Sequence, residues 1–333
     1  MERFEGPRGF PLGQWVDEHS TVRYNLARSG MFGSLHTVPR LLRNPSAAEP
    51  EDLRARLARG HRVDAAEVFL THGAHEANFL ALAFLAGRAR RTARALRVRI
   101  DSPEYPQLVD ATRAAGGTVV SGTRRADAWL LSNPNNPTGR WRSAHEILTD
   151  HRGAQLTVVD ETFREFTPVP SLAAAGEENV WVTGTFTKTY GADEIRVGWS
   201  IPPKPLTGAY GRFHRVAADK VAPRSIGAAM RILSSRDEVL REVREIFGRN
   251  VRRLRRAIPG SNRPRAPVWF DRAIGGGSGT ALQNAALRRS VLVCSGEFFG
   301  DPSGVRLCLT RHSFPEDLGH YLAVRERFTH SRT

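Results

Sequence analysis

One lysine of this sequence stands where an amine could do covalent chemistry. Of the 49 lysines and arginines only three are lysines, and Lys188 ends the run Thr185-Phe186-Thr187-Lys188, directly after the apolar segment 180–184. Ligands of open α/β sheets bind beyond the carboxyl ends of the strands, which is where this lysine falls. A lysine amine in such a cleft is a nucleophile and a base. We therefore expect Lys188 to serve chemistry rather than to lie on the surface.

Three further polar segments follow predicted strands. Small residues at 71–76 mark a strand-to-helix turn, where free backbone N–H groups and the helix dipole favour a phosphate. The sequence Asn-Pro-Asn-Asn-Pro-Thr-Gly at 133–139 predicts a rigid turn because it contains two Asn-Pro steps. The apolar run 156–159 ends at Asp160, and a buried acid needs a positive partner.

These groups together indicate a cofactor. A phosphate-binding turn, a buried carboxylate, a lysine amine and the nearby Arg196 suit a phosphorylated compound that has an aldehyde and a ring nitrogen. Pyridoxal 5′-phosphate has that combination of groups. The sequence therefore predicts a site for pyridoxal phosphate.

The elements that position these residues alternate between strands and helices. Short β-like runs at 68–71, 96–100, 118–120, 128–131, 155–159 and 180–184 are separated by helix-like or turn-rich sequence. This alternation predicts an α/β fold with a mostly parallel sheet. After about residue 225 we expect one long helix through Ile258, then strands near 268–270, 290–294 and 305–310 with two more helices. That pattern predicts a smaller α+β domain.

Length and composition limit the class of protein. The 333 residues predict about two domains, and 40% hydrophobic with 25% charged residues is typical of a globular chain. No apolar stretch approaches the roughly 20 residues of a membrane span, and the N-terminus has no signal-peptide core, so we expect a cytoplasmic protein. Cys294 and Cys308 are too few for a disulfide framework and lack zinc-site spacing, so we expect no metal.

The net charge of +15 raises the question of a nucleic-acid partner. The excess is arginine spread along the chain, as GC-rich coding favours, and the densest clusters at 88–97 and 249–256 have no interleaved aromatic residues. Bases would find no stacking platform there. A solvated basic surface is the favoured interpretation, nucleic acid is not an expected partner, and acidic metabolites remain possible partners.

The ordered motifs resemble a known family. They are Gly-Ala-His-Glu-Ala at 73–77, the Asn-Pro turn at 133–139, Asp-Glu at 160–161, Thr-Phe-Thr-Lys at 185–188 and Arg-Val-Gly-Trp at 196–199. In order and spacing they look like the signatures of fold type I, class I/II pyridoxal-phosphate-dependent aminotransferases. The compact size is similar to the histidinol-phosphate aminotransferase branch, and the resemblance covers about residues 66–312.

The resemblance implies an aspartate aminotransferase-like fold and a homodimer. It also implies an N-terminal arm over 1–44 that covers the active site, a large cofactor-binding domain over 45–225 and a small C-terminal domain over 226–333. The expected activity is transfer of an amino group between an amino acid and a 2-oxo acid.

The resemblance also implies a role for each site residue. Lys188 would form the Schiff base with the cofactor and then move the proton between Cα and C4′. Asp160 would keep the pyridine nitrogen protonated. Asn136 would donate to the ring O3′, and Tyr105 would stack on the ring face. The residues expected around the phosphate are Gly73, Ala74, His75, Thr185, Thr187 and Arg196.

Substrate contacts follow from the same resemblance. Arg306 sits where the family places the arginine that grips the substrate α-carboxylate bidentately, with Arg311 as a weaker substitute. Asn136 and Gly30, which ends an arm-like run at 25–30, are further expected contacts.

Two departures from the family pattern keep alternatives open. Phe163 stands where family members usually carry a tyrosine that donates to O3′, which leaves decarboxylation, cyclisation or oxygen-dependent oxidation as alternatives to transamination. The segment 44–46 lacks the tyrosine that many relatives extend to the neighbouring subunit's phosphate. A regulator without enzymatic activity is the remaining class, and the roughly 65 residues before the first motif are too few for the winged-helix domain it would need.

Overall fold

The computed structural model describes residues 10–122, 125–150, 154–272 and 277–330. Within them the helices are α1 (Pro11–Glu18), α2 (Thr37–Leu41), α3 (Pro50–His61), α4 (Ala74–Arg90), α5 (Pro106–Ala114), α6 (Ala144–Asp150), α7 (Thr207–Ala217), α8 (Pro223–Ser234), α9 (Arg236–Ala257), α10 (Gly279–Leu287) and α11 (Phe314–His330). The strands are β1 (Tyr24–Asn25), β2 (Phe69–Thr71), β3 (Arg97–Arg99), β4 (Thr118–Val120), β5 (Ala126–Ser132), β6 (Ala154–Asp160), β7 (Val180–Thr185), β8 (Gly198–Ile201), β9 (Val268–Asp271), β10 (Val291–Leu292), β11 (Cys294–Ser295) and β12 (Val305–Cys308). Short 3-10 helices lie at Ala65–Glu67, Arg164–Phe166, Leu172–Ala175, Asp193–Ile195, Lys204–Leu206 and Gly296–Phe299.

A seven-stranded sheet forms the centre of the molecule. Its strand order is β2-β8-β7-β6-β5-β3-β4, and only β8 runs antiparallel to its neighbours. The predicted α/β architecture with a mostly parallel sheet is therefore confirmed. Since β2, β5, β6 and β7 point the same way, the loops after all four meet at one edge of the sheet.

The central strands are apolar because helices cover both faces of the sheet. Every residue of β7 is buried, and β6 has one exposed residue, Gln155. On one face Trp181 packs against Tyr210 with ring centroids 4.7 Å apart. On the other face Val182 belongs to the cluster that contains Ile226 of α8. Burial on both faces makes this sheet a rigid support for the loops at its edge.

A second, antiparallel sheet lies in the C-terminal part and has the order β11-β12-β9. The N-terminal segment joins this part through β1, which pairs in parallel with β10. Leu26 extends the connection, since its N–H donates to Leu292 and its carbonyl accepts from the Cys308 N–H. The chain before α3 is thus tied to strands near the other end of the sequence.

The single long helix expected from about residue 225 to Ile258 is wrong. The structure has two helices, α8 and α9, separated at Ser235, whose φ of −106° and ψ of 21° are not helical. Serine has a low helix propensity, and Asp237 and Glu238 in the first turn of α9 favour a new helix N-terminus, so the local sequence is compatible with the break.

Strand β8 was not expected from the sequence. Its four residues, Gly198–Ile201, are all buried between β2 and β7. The run is too short for periodicity to identify it, and two prolines follow it directly. Its place in the sheet comes from pairing with strands that are distant in sequence.

Among the described residues, no helix combines the length and the apolar character needed to cross a bilayer.

We expect Gly198→Ala to destabilise the protein by about 1–3 kcal/mol, because overpacking a buried position forces backbone shifts. A Cβ at Gly198 would lie 2.6 Å from the backbone of Gly73 and 2.7 Å from the carbonyl oxygen of Gly184. Thermal unfolding monitored by circular dichroism measures the effect.

The matched control is Gly319→Ala in α11, where a Cβ would meet nothing within 4 Å. This variant should gain about 0.5–1 kcal/mol from helix propensity. An unchanged Tm for Gly198→Ala would contradict the proposed close packing of β8 on the turn that contains Gly73.

Candidate active site

A cavity of about 500 Å³ opens at the edge of the sheet where the loops after β2, β5, β6 and β7 meet. Eleven of the residues predicted for the site line it: Gly73, Ala74, His75, Tyr105, Asn136, Asp160, Thr185, Thr187, Lys188, Arg196 and Arg306. Gly30 and Arg311 are not among the lining residues in the described part of the chain: Gly30 is in contact with the lining residue Phe32, since a Cβ there would overlap the Phe32 ring, and Arg311 donates to the Asn25 carbonyl at 3.4 Å. The fold therefore brings residues from five loops and from β12 to one place, since Tyr105 comes from the loop after β3.

Lys188 follows β7 and is held through its backbone. Its carbonyl accepts from the Met31 N–H at 2.9 Å, and its Nζ lies 5.2 Å from the Phe32 ring centroid. Burial lowers the pKa of the amine, against the attraction of Asp193, which raises it. Among the ion pairs of the described residues none includes Lys188. A larger neutral fraction makes this amine a better nucleophile and base.

Asp160 ends β6 and is 5% exposed. One oxygen, Oδ2, accepts from Asn78 Nδ2 at 2.7 Å, and the other, Oδ1, accepts from the Thr162 N–H at 2.9 Å. Asn78 is itself oriented, because its Oδ1 accepts from the Thr183 hydroxyl at 2.6 Å. No cation pairs with Asp160 in the part of the chain that the structure describes. A buried carboxylate of this kind fits a protonated ring nitrogen.

A cradle for an anion forms where α4 begins. Gly73 has a φ of 109°, and α4 starts at the next residue without a side-chain cap, so its first N–H groups remain free. A Cβ at Gly73 would lie 3.3 Å from Nη2 of Arg196 and 3.7 Å from the Thr185 hydroxyl, so these groups converge. The Thr185 and Thr187 hydroxyls are 2.8 Å apart. This donor set fits the phosphate of the expected cofactor.

Arg306 in β12 faces the cavity from the C-terminal part and is 3% exposed. Its Nη1 donates to Asn136 Oδ1 at 3.2 Å and its Nη2 to the Ala27 carbonyl at 2.6 Å, while Nε has no partner among the described residues. The guanidinium lies over the Phe299 ring at 4.9 Å. Since no described carboxylate pairs with this buried cation, it suits a carboxylate ligand.

Tyr105 and Phe163 give the cavity apolar walls. The Tyr105 ring meets Phe10 edge-on with centroids 6.0 Å apart, and burial raises the pKa of its phenol. Phe163 packs edge-on against Phe166 at 6.0 Å and brings no hydroxyl to the cavity.

Sequence reasoning missed two groups of lining residues. The first is the N-terminal helix α1 with the residue before it, which contributes Phe10, Leu12, Gly13, Val16 and Asp17. The apolar spacing of Leu12 and Val16 after Pro11 was a signal for an amphipathic helix there. The second is Asn78 in α4. A single amide side chain in an otherwise apolar helical run was the feature of the sequence that could have identified it.

The chain is similar in sequence and fold to known proteins. The sequence model of the aminotransferase class I and II family matches residues 45–315. A histidinol-phosphate aminotransferase from Rhodospirillum centenum (strain ATCC 51521 / SW) is 30% identical over 248 residues, which are 64% of this chain and 67% of that protein. One from Erythrobacter litoralis (strain HTCC2594) is 34% identical over 184 residues, 47% of this chain and 48% of that protein. The chain thus matches between about half and two thirds of the length of these relatives.

The fold is also found in solved structures. The crystal structure of a PLP-dependent aminotransferase from Streptococcus suis 89-1591 is similar, with a TM-score of 0.80, 98% of both chains covered and 19% identity. Because the family match spans most of the sequence, this chain belongs to the aminotransferase class I and II family. The resemblance inferred from the motifs is confirmed.

Lys188→Met should raise the Tm by a few degrees at neutral pH, after dialysis that removes bound small molecules. The substitution keeps the length of the side chain and removes a desolvated amine. Because the folded protein binds fewer protons at Lys188 than the unfolded chain does, wild-type stability rises with pH below the unfolded pKa of 10.5. The advantage of the variant should therefore shrink as pH approaches 10.5.

Calorimetry of Lys204→Met provides the control, since Lys204 is exposed and its replacement should leave the Tm unchanged at every pH. A Lys188→Met variant that is less stable than wild type at neutral pH would contradict the desolvation of the amine.

Proposed function

We propose that the protein is a pyridoxal-phosphate-dependent aminotransferase that moves an amino group between an amino acid and a 2-oxo acid. The observation that carries this proposal is that one cavity holds a lysine of lowered pKa, a buried carboxylate without a cation and an anion cradle, with Arg306 on the opposite wall. Each group complements one part of the cofactor or of an amino acid.

The cradle of Gly73, Thr185 and Arg196 would hold the phosphate, and Asp160 would face the ring nitrogen. Bound pyridoxal phosphate supplies an electron sink for the negative charge that develops at the substrate Cα. The chain's own contribution at the cofactor is therefore to position the ring and keep its nitrogen protonated.

Lys188 would act as the base that takes the proton from the substrate Cα and as the acid that returns it. Arg306 and Asn136 would fix the α-carboxylate, which aims the Cα–H bond toward that amine. Tyr105 and Phe10 would cover the cavity and exclude water. Phe163 has no hydroxyl to donate, and Asn136 would supply a side-chain donor to O3′.

We also propose the domain division stated from the sequence, namely an arm over 1–44, a large domain over 45–225 and a small domain over 226–333. All strands of the seven-stranded sheet fall in the second range, and those of the three-stranded sheet fall in the third. We further propose a cytoplasmic location and no nucleic-acid partner, in line with arginines that are exposed without neighbouring aromatic rings along the end of α9.

A spectral experiment tests the function. Purified protein with pyridoxal phosphate should develop a visible absorbance band, and the band should bleach without oxygen when the correct amino acid of a panel is added, with release of its 2-oxo acid. Borohydride reduction followed by peptide mapping should place the cofactor on Lys188. The Lys188→Ala variant should lose at least about 10⁴-fold in rate, because both covalent attachment and proton transfer are removed.

The matched control is Lys204→Ala, which should keep the wild-type band and rate. Bleaching that requires oxygen, or release of carbon dioxide instead of the 2-oxo acid, would replace transamination by oxidation or decarboxylation. A Lys188→Ala variant with full activity would refute the proposed enzyme.

We propose that two chains form a homodimer. Support comes from a groove of about 420 Å³ next to the lysine loop, whose lining combines apolar side chains with two carboxylates: Met31, Gly33, Leu35, Val38, Pro39, Leu42, Tyr190, Gly191, Asp193 and Glu194. A groove of that character beside the active site is suited to a second copy.

Light scattering should therefore give twice the chain mass for wild type. Pro39→Glu, at an exposed position of the groove, should shift the protein toward monomer, whereas Val216→Glu, an exposed apolar residue of α7, should not. A monomeric wild-type protein would contradict the dimer.

A further inference from the structure

Glu104 is a buried carboxylate that the proposed reaction does not use. It precedes Tyr105, is 6% exposed, and takes part in none of the ion pairs of the described residues. Burial raises the pKa of its carboxyl to about 8, although hydrogen bonds from Ser132 and Tyr105 oppose the shift. An interior carboxylate without a cation is costly, so its contacts need an explanation.

All contacts of the carboxylate come from donors of two segments. Oε1 accepts from the Tyr105 N–H at 2.7 Å and from the Ser132 hydroxyl, at short distance. Oε2 accepts from the Ser132 N–H at 2.9 Å and from Asn135 Nδ2 at 3.2 Å. The ionised form of the carboxylate accepts from all four donors, whereas burial, which raises the pKa to about 8, leaves the protonated form populated at neutral pH. Glu104 thus joins the start of α5 to the turn after β5.

Both of these segments carry cavity residues. The first contributes Tyr105 itself. In the second, the Ser132 hydroxyl accepts from the Asn136 N–H at 3.0 Å, and Asn136 Oδ1 accepts from Arg306 at 3.2 Å. A continuous chain of hydrogen bonds therefore runs from Glu104 to the guanidinium.

The backbone of Glu104 makes a third connection. Its N–H donates to the Phe299 carbonyl at 3.1 Å, and the ring of Phe299 lies under the Arg306 guanidinium. Arg306 is thus approached from Glu104 by two independent routes, one through Ser132 and Asn136 and one through Phe299.

We infer that Glu104 is a positioning residue that sets the placement of the Asn136–Arg306 pair relative to Tyr105, and thereby the orientation of the substrate carboxylate. The inference rests on the proposed function for its kinetic consequence. Glu104 touches neither the cofactor phosphate cradle nor Lys188, so its loss should act on substrate binding more than on cofactor retention.

Glu104→Gln tests this role at about pH 9, above the pKa of the Glu104 carboxyl, because an amide replaces one acceptor oxygen of the ionised group by an NH₂ donor that would face donors in the wild-type network. For the amino acid identified in the panel, KM should rise about tenfold, as expected when hydrogen bonds to a positioned arginine are weakened by roughly 1.4 kcal/mol, while kcat stays within about threefold. The dissociation constant for pyridoxal phosphate, measured by absorbance titration without substrate, should change by no more than about threefold.

Two further variants separate positioning from stability. Ser132→Ala removes the hydroxyl between Glu104 and Asn136, and it should raise KM in the same direction by a smaller factor. Asp317→Asn neutralises another buried carboxylate, which is bonded to Ser313 outside the cavity, and it should lower the Tm without changing KM. If Glu104→Gln does not fold, Ser132→Ala provides the test.

Crystal structures of wild type and variant decide the inference even if the protein proves not to be an aminotransferase. The Arg306 Nη1 to Asn136 Oδ1 distance of 3.2 Å should lengthen beyond the roughly 3.5 Å limit of a hydrogen bond in Glu104→Gln. An unchanged distance, or a KM within twofold of wild type together with a lower Tm, would overturn the positioning role. Absence of any cofactor band in wild type would instead refute the proposed function.

Discussion

Asp160 is held in the protein interior by one amide and one backbone N–H, and this buried negative charge is the constraint around which the cavity is organised. The carboxylate is reached from helix α4 through Asn78, which is oriented in turn by Thr183 of the neighbouring strand. Such an arrangement needs β6, β7 and α4 in fixed register, since a small shift would leave a buried charge without donors. The central sheet supplies that rigidity because helices cover both of its faces.

The same edge of the sheet places the phosphate cradle and Lys188. Strand β8 lies between β2 and β7, and its first residue, Gly198, packs directly on the Gly73 turn. Thr185 ends β7 and Arg196 precedes β8. Both residues therefore lie close to the Gly73 turn, because β8 pairs with β7 on one side and with β2 on the other. The anion cradle is a consequence of strand order as much as of the residues that compose it.

The opposite wall belongs to other parts of the chain. Arg306 comes from the antiparallel sheet, and it bonds to Asn136 in the turn after β5 and to Ala27 of the N-terminal segment. Three regions that are far apart in sequence thus meet at one guanidinium. Glu104 bonds to the start of α5, to the turn after β5 and, through its N–H, to Phe299. These hydrogen bonds hold segments that are distant in sequence in one arrangement around Arg306.

The sequence by itself determined the α/β class, most strand positions and the chemical identity of the central groups. Lys188, Asp160 and the Gly73 turn could be predicted because each directly follows a strand, and the carboxyl ends of parallel strands share one edge. Only the tertiary structure decided the break at Ser235, the place of β8, which residues of α1 line the cavity and the contact of Gly30 with Phe32. It also decided the contacts of Asn78 and Glu104. The physical reason is that periodicity and turn propensity are local properties, whereas these features depend on pairing and burial between residues up to hundreds of positions apart.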